Sequence, residues 1–259
     1  MYAEERQQAI AAQVLAQGRA SVTELAHEYD VTTETVRRDL AALHRAGLIQ
    51  RVHGGAVPLR ALRIVEPGYD ERAVTRADHK DLVATGATEY LPRAGGSVLF
   101  DAGTTTARLA GLLPVDSELT VVTNSVPIAA RLAGLSAVTL QLLGGRVRGL
   151  TQAAVGEPAL RVLDSIRVDV AFIGTNGISV RHGLSTPDGD EAAIKRAMVQ
   201  CANYVVVLAD SSKIGQEEFI SFAPLESIDV LVTDPEITAA QHRDLDGHGM
   251  EIVVAEASS

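Results

Sequence analysis

Two groups of residues in this 259-residue chain have the types and spacing to do chemistry. The first is a set of short polar clusters, each following a β-rich apolar run: Asp101-Ala102-Gly103-Thr104-Thr105-Thr106, Thr123-Asn124-Ser125, Gly144-Gly145, Gly174-Thr175-Asn176-Gly177 and Asp210-Ser211-Ser212-Lys213. Any one of them alone reads as a turn. Repeated behind successive strands they point to a ligand, because open parallel sheets bind at the carboxyl ends of their strands. From Gly103 to Thr106 the chain enters an expected helix, so its N–H groups and hydroxyls suit a phosphate. Lysine usage sharpens this: the chain has only Lys80, Lys195 and Lys213, and arginine supplies the other cations. A surface lysine is ordinarily a solvated charge, but one placed behind Asp210-Ser211-Ser212 is expected to pair with the phosphate. Asp101 and Asp210 suit sugar hydroxyls, or cap helices.

The second group, between Ser21 and Ala56, suits DNA. Thr23 is expected to cap a short helix through Leu25, Ala26 and Tyr29, Asp30-Val31 to turn, and Thr32 to cap a second helix ending before Gly47. Val36, Leu40 and Leu43 recur at helical spacing and face inward. That leaves Thr33, Glu34, Thr35, Arg37 and Arg38 near the N-terminal end, where a recognition helix meets bases and phosphates. Leu48 to Val52 then reads as a strand, and His53-Gly54-Gly55-Ala56 as a tight turn with positive φ. Arg51 and His53 are expected to face the phosphate backbone.

In Thr-Val-Arg-Arg-Asp-Leu (35 to 40), Gly47-Leu48-Ile49 and Arg51-Val52-His53-Gly54-Gly55-Ala56 the chain resembles the N-terminal signature of the DeoR family of bacterial transcriptional regulators. The strand-end clusters, with Phe172-Ile173-Gly174 and Gly183-Leu184-Ser185-Thr186, resemble that family's sensor domain. The resemblance implies a relative of ribose-5-phosphate isomerase and glucosamine-6-phosphate deaminase that binds a phosphorylated sugar as effector, usually to relieve repression. Fructose 1-phosphate or another hexose or pentose phosphate is the first candidate on that ground. It also places Glu191 and Lys195 beside the effector pocket, although four residues apart on a helix they read first as a surface pair. Arg148, after the Gly144-Gly145 turn, is expected to contact ligand or cover a dimer surface.

These sites need two domains to hold them, and the chain is long enough for both. Its net charge of −10 is unevenly placed: residues 1 to 60 carry seven basic and seven acidic residues, so the acidity belongs to the remainder. A neutral head can bind DNA when its arginines share one face. The expected organisation is a winged helix-turn-helix domain at 1–57, a charged linker at 58–79 interrupted by Pro67-Gly68, and an α/β, doubly wound sensor domain at 80–259. Its strands are read at 97–100, 119–122, 138–143, 168–173, 204–208, 230–232 and 252–254, several of them apolar on both faces.

The single cysteine, Cys201, excludes an internal disulfide and a cysteine cage, and no histidine pair has metal-ligand spacing. No metal or cofactor is therefore expected. Met1 to Arg6 lacks a signal-peptide pattern, and no apolar run approaches a membrane span, so the cytoplasm is expected. The competing class is a sugar-phosphate isomerase or deaminase with an added DNA-binding head. Against it, Asp169-Val170-Ala171-Phe172-Ile173 stands where the isomerases resemble Asp-Gly-Ala-Asp-Glu, which leaves proton transfer unsupported. The expected partners are operator DNA, a sugar phosphate and further copies of the chain as homodimer or homotetramer, to match repeated half-sites.

Overall fold

The computed structural model describes residues 3–17, 20–45, 48–52, 55–58 and 66–256. The chain divides into two units, Met1–Glu66 and Pro67–Ser259. In the first, α1 (Ala3–Gln17), β1 (Ala20–Ser21), α2 (Val22–Glu28), α3 (Thr33–Arg45), β2 (Ile49–Val52) and β3 (Gly55–Pro58) follow one another. Ile10 and Val14 of α1 pack with Leu25 of α2 and with Val36, Leu40 and Leu43 of α3, so the apolar spacing of α3 does face a core. Thr32 caps α3, its hydroxyl accepting from Thr35 N–H at 3.2 Å. Ser21, rather than Thr23, caps α2: its backbone is still extended, and it forms a reciprocal capping box with Glu24.

The wing is an antiparallel sheet of order β1-β3-β2. Gly55 is a strand residue here and not part of a positive-φ turn. Glycine is required for a different reason: a Cβ would stand 2.3 Å from the carbonyl oxygen of Ala20 on the neighbouring strand. His53 and Gly54 lie outside the described residues.

The second unit begins with α4 (Tyr69–Val74) and α5 (Ala77–Gly86), then β4 (Ser97–Phe100), α6 (Thr104–Ala110), β5 (Leu119–Thr123), α7 (Val126–Leu132) and β6 (Val138–Leu142). A hairpin of β7 (Arg146–Arg148) and β8 (Ala153–Val155) leads to α8 (Glu157–Ser165) and β9 (Val168–Gly174). There follow β10 (Gly177–Ser179), β11 (Gly183–Thr186), α9 (Gly189–Gln200), β12 (Ala202–Leu208), β13 (Ile220–Ala223), β14 (Val230–Thr233), α10 (Ala239–Leu245) and β15 (Glu251–Val254).

All seven apolar runs read from sequence become strands of one parallel sheet, in the order β15-β14-β12-β9-β4-β5-β6. Alternate residues feed two separate cores. Leu99, Ala171, Ile173 and Val207 meet Ile194 and Met198 of α9, while Val98, Phe100, Phe172 and Val206 meet Val83, Leu109 and Ile128 on the opposite face. Burial on both faces explains why these runs are apolar at successive positions. The chain winds outward from β4 to β6, then returns to lay β9, β12, β14 and β15 on the other side of β4. Strand order therefore reverses between β4 and β9, the position outside whose carboxyl ends open parallel sheets bind their ligands. Phe100 and Phe172 are register partners across that reversal, with rings stacked 5.4 Å apart.

The expected linker at 58–79 is shorter than its composition suggested. Residues 69–79 form α4 and the start of α5 and belong to the second unit. They are held by polar ties instead of apolar periodicity: Arg108 on α6 donates to the carbonyls of Ala73 (3.0 Å) and Ala77 (3.5 Å). Among the described residues no helix is long and apolar enough to cross a membrane.

Candidate functional site

At the reversal of strand order three expected site residues converge. Asp101 follows β4 and is 1% exposed; Lys195 on α9 is 4% exposed and its ammonium pairs with the Asp101 carboxylate. Lys195 also donates to Gly174 O at 2.9 Å, and Gly174 N–H donates to Asp101 at 3.0 Å. Burial pushes the Asp101 carboxyl up, while the Lys195 charge and the hydrogen bonds from Lys195 and Gly174 pull it down. Asp188 caps α9 through the N–H groups of Asp190 and Glu191, both at 3.0 Å, which fixes the start of the helix that carries Lys195.

Glu191 and Lys195 are not the surface pair their spacing suggested. Both are buried, and each has its own partner. Glu191 accepts from the Thr151 hydroxyl and from Arg148 Nη1 at 3.2 Å, while Arg148 Nε lies 3.1 Å from Asp188. Arg148 thus binds the turn after β7 to the start of α9.

Several polar residues behind the strands spend their first hydrogen bonds on architecture. Thr106 Oγ1 donates to Asp101 O at 2.7 Å, and Thr123 Oγ1 to Phe100 O at 2.7 Å. Ser125 caps α7. Asn124 accepts from Ala102 N–H at 2.9 Å and donates to Ala154 O at 3.3 Å, so one amide joins the ends of β4 and β8. Gly145, at φ 133, lets the turn after β6 approach β8, where a Cβ would stand 2.4 Å from Val155 O; Gly144 beside it is exposed. Asn176 accepts from Thr186 at 3.2 Å and Gly177 pairs with Ser185, so both organise the β10–β11 hairpin. Gly103 leads into α6 with extended backbone. Thr104 and Thr105 are buried residues whose hydroxyls have no partner among the described residues.

The Asp210 cluster stands with groups the sequence reading passed over. Asp210, 2% exposed, accepts from Ser212 and lies 3.0 Å from Arg76 Nε. Arg76 adopts φ 51 and reaches Glu236 (2.8 Å) and Asp234 (3.5 Å), with His79 Nδ1 3.2 Å from Asp234. Burial works to raise the Asp234 carboxyl, but N–H groups of Ser211 and Glu236 and the Ser211 hydroxyl hold it below the usual range. His79, Asp234 and Glu236 are close enough to share a cation, and the guanidinium of Arg76 is the cation among them.

Lys213 is half-buried, without a side-chain partner among the described residues. No described bond joins it to Thr104–Thr106. Its charge bears on Lys80, which is 6% exposed and donates to the carbonyls of Thr75 (2.7 Å) and Arg72. Burial, reinforced by Lys213, Arg108 and Arg72 against Asp210, pushes the Lys80 ammonium down to about 8. Only the scarcity of lysine marks Lys80 in the sequence, because it sits on a helix in no recognisable motif. Arg76 carried no signal, because a left-handed arginine has no sequence signature.

On the first unit, Thr33, Glu34, Arg37 and Arg38 of α3 are exposed as expected. Arg37 and Arg38 each lie loosely near Glu34, at 3.8 and 3.6 Å, and such exposed pairs yield readily to phosphate. Thr35 is half-buried, its hydroxyl 2.9 Å from that of Thr32. Arg51 lies on β2 opposite Ala56. A tie that the sequence did not reveal fixes α3: buried Asp39 accepts from Arg6 Nε at 2.7 Å and Gln7 at 2.9 Å, both on α1.

The acid read in the isomerase-like run, Asp169, does not stand at the carboxyl end of β9. Asp169 lies near its start, exposed, accepting from Ser97 N–H and hydroxyl at 2.8 Å. It is five residues before Gly174, roughly 16 Å along an extended strand. Phe172 and Ile173 occupy the carboxyl end, fully buried.

Residues 6–60 match the DeoR-like helix-turn-helix domain, and residues 75–235 the DeoR C terminal sensor domain. Over 233 residues the chain is 39% identical to the HTH-type transcriptional regulator GlpR of Haloferax volcanii, covering 90% of each. It is 31% identical over 218 residues to the glycerol-3-phosphate regulon repressor of Escherichia coli K12, covering 84% of this chain and 85% of that one. Among solved structures, a D-ribose-5-phosphate isomerase in complex with phospho-erythronic acid overlaps 53% of each chain, at TM-score 0.39 and 17% identity. So slight an overlap carries no functional argument, and the doubly wound assignment rests on the strand order itself.

Proposed function

Because the chain belongs to the DeoR family of transcriptional regulators, we propose that it represses genes of carbohydrate metabolism and is released from operator DNA by a phosphorylated sugar. The observation that carries the sensor half is the meeting of Asp101, Gly174 and Lys195 at the one reversal of the parallel sheet. Ligands of doubly wound sheets bind at that point. In this reading Asp101 orients sugar hydroxyls and Lys195 holds its carboxylate in place. Thr104, Thr105 and Lys213 supply donors for phosphate. Glu191 and Arg148 set the wall formed by α9 and the β7–β8 turn.

The reading for DNA is that Arg37, Arg38 and Arg51 contact phosphates while Thr33 and Thr35 stand nearest the bases, with two heads presented by a dimer or tetramer to repeated half-sites. For the sugar to control the heads it must prefer one arrangement of the assembly, since a ligand that binds both equally changes nothing.

A thermal-shift screen of hexose and pentose phosphates, beginning with fructose 1-phosphate, tests the sensor, because ligand held by the native state raises the melting temperature. The same ligand should weaken operator binding in a gel-shift titration and be recovered unchanged. Conversion of it to an isomer or a deaminated product at a useful rate would sink the regulator reading in favour of an enzyme.

A further inference from the structure

Among the described residues, no group meets the Nε/Nη2 edge of the Arg72 guanidinium on α4. Its Nε and Nη2 are shut off from solvent and have no hydrogen-bond partner among the described residues. These two nitrogens form one edge of the guanidinium, with their N–H bonds nearly parallel. That is the fork which grips two oxygens of one phosphate. Buried donors left unpaired are costly, and a charged group more so, which marks the position as kept for something other than packing.

The surroundings have a surplus of positive charge. Lys80, buried, donates to the carbonyl of Arg72 and so ties α5 to α4 at this residue. Lys213 bears on the same ammonium and has no side-chain partner among the described residues. Arg108 is already matched, to Asp81 at 2.9 Å and to two carbonyls of the α4–α5 segment. Asp210, the acid that bears on Lys80, is taken by Arg76 and Ser212. Burial lowers Lys80 to about 8, with Lys213, Arg108 and Arg72 adding to it and Asp210 opposing it, the response expected of a buried ammonium among like charges. Asp70 and Glu71, the acids of α4 itself, are exposed and make no ion pair among the described residues.

We propose that the Nε/Nη2 edge of Arg72 is the bidentate anchor for the phosphate monoester of the effector, completing a cationic cradle with Lys80 and Lys213. This deepens the sugar-phosphate reading above and rests on it. α4 is also the first element after the boundary between the two units.

The test uses the full chain and its Arg72→Met and Arg72→Lys variants, with inorganic phosphate, fructose 1-phosphate and fructose as probes in calorimetry and thermal melts. Arg72→Met should weaken phosphate binding at least tenfold while raising the ligand-free melting temperature by about 2–4 °C, because an unmet charge is removed. Arg72→Lys, which keeps charge but not the fork, should fall between. Ligand-free operator affinity should be unchanged. The proposal is overturned if Arg72→Met binds phosphate or fructose 1-phosphate as tightly as the parent. It is overturned too if that variant misfolds or melts lower without ligand, since the charge would then have a structural partner. If the parent answers to neutral sugars but to no phosphate or phosphosugar, the sugar-phosphate reading itself has failed; if the parent answers and Arg72→Met answers equally, only the anchor has.

Discussion

Lys195 and Asp101 show how a residue can be visible in a sequence while its state is not. Spacing alone made Lys195 a surface partner of Glu191; the fold buries both and gives Lys195 to Asp101. Removing one member of a buried pair strands the other, so Lys195→Met should cost about 3–5 kcal/mol in urea unfolding, and adding Asp101→Asn should recover much of it. Additive losses in the double variant would show that the two do not act as a pair. Lys80 gives a second expectation. Its folded value of about 8 lies below the ordinary 10.5, so between those values the unfolded chain holds more protons and stability rises with pH. The gain is complete above about 10.5 and lost as pH falls through 8, amounting to roughly 3 kcal/mol at most. Lys80→Met should flatten that rise in melts taken from pH 7 to 11, and an unaltered profile would remove Lys80 as its source. Neither state could be read from residue type, because both depend on burial and on charges brought near by the chain's return.

Among the elements, α3 was legible and α4 was not, for one physical reason. The apolar stripe of α3 is long enough to show helical period, and Thr32 marks its start with a hydroxyl. Six-residue α4 carries charged residues and is held by bonds to its carbonyls from Arg108 and Lys80, which leave no periodic trace. The angle of α3 was hidden as well: Asp39 looks like part of a charged helical face, yet it is the buried anchor to Arg6 and Gln7. What α3 exposes remains available to DNA. Replacing Arg37 and Arg38 together with Ala should weaken operator binding strongly and reduce the slope of log affinity against log salt by up to roughly two units, with unfolding unchanged. Equal gel-shift affinity for parent and variant would remove both from the DNA interface.

At the scale of the molecule the two units separate two losses of function. Lys213→Met should lower fructose 1-phosphate affinity at least tenfold, about 1.5–3 kcal/mol for a charge-assisted contact, and leave ligand-free operator binding intact. Calorimetry and operator titration on one preparation check this; full retention of sugar response would return Lys213 to the solvated surface. The amino-acid order by itself determined the winged head, since cap, stripe and wing are local, and the seven strands, since burial on both faces writes itself as consecutive apolar residues. It also placed the polar clusters behind those strands. Which clusters meet was decided only by tertiary structure. Strand order joins β4 to β9, and so brings residues 101, 174 and 195 together, while the hydroxyls of Thr106 and Thr123 turn inward to hold backbone. The return of α4 and α5 brings Arg76 and Lys80 to Asp210, far away along the chain. Adjacency across a sheet, and the burial that shifts a charge, arise from contacts between distant segments, which no local pattern encodes.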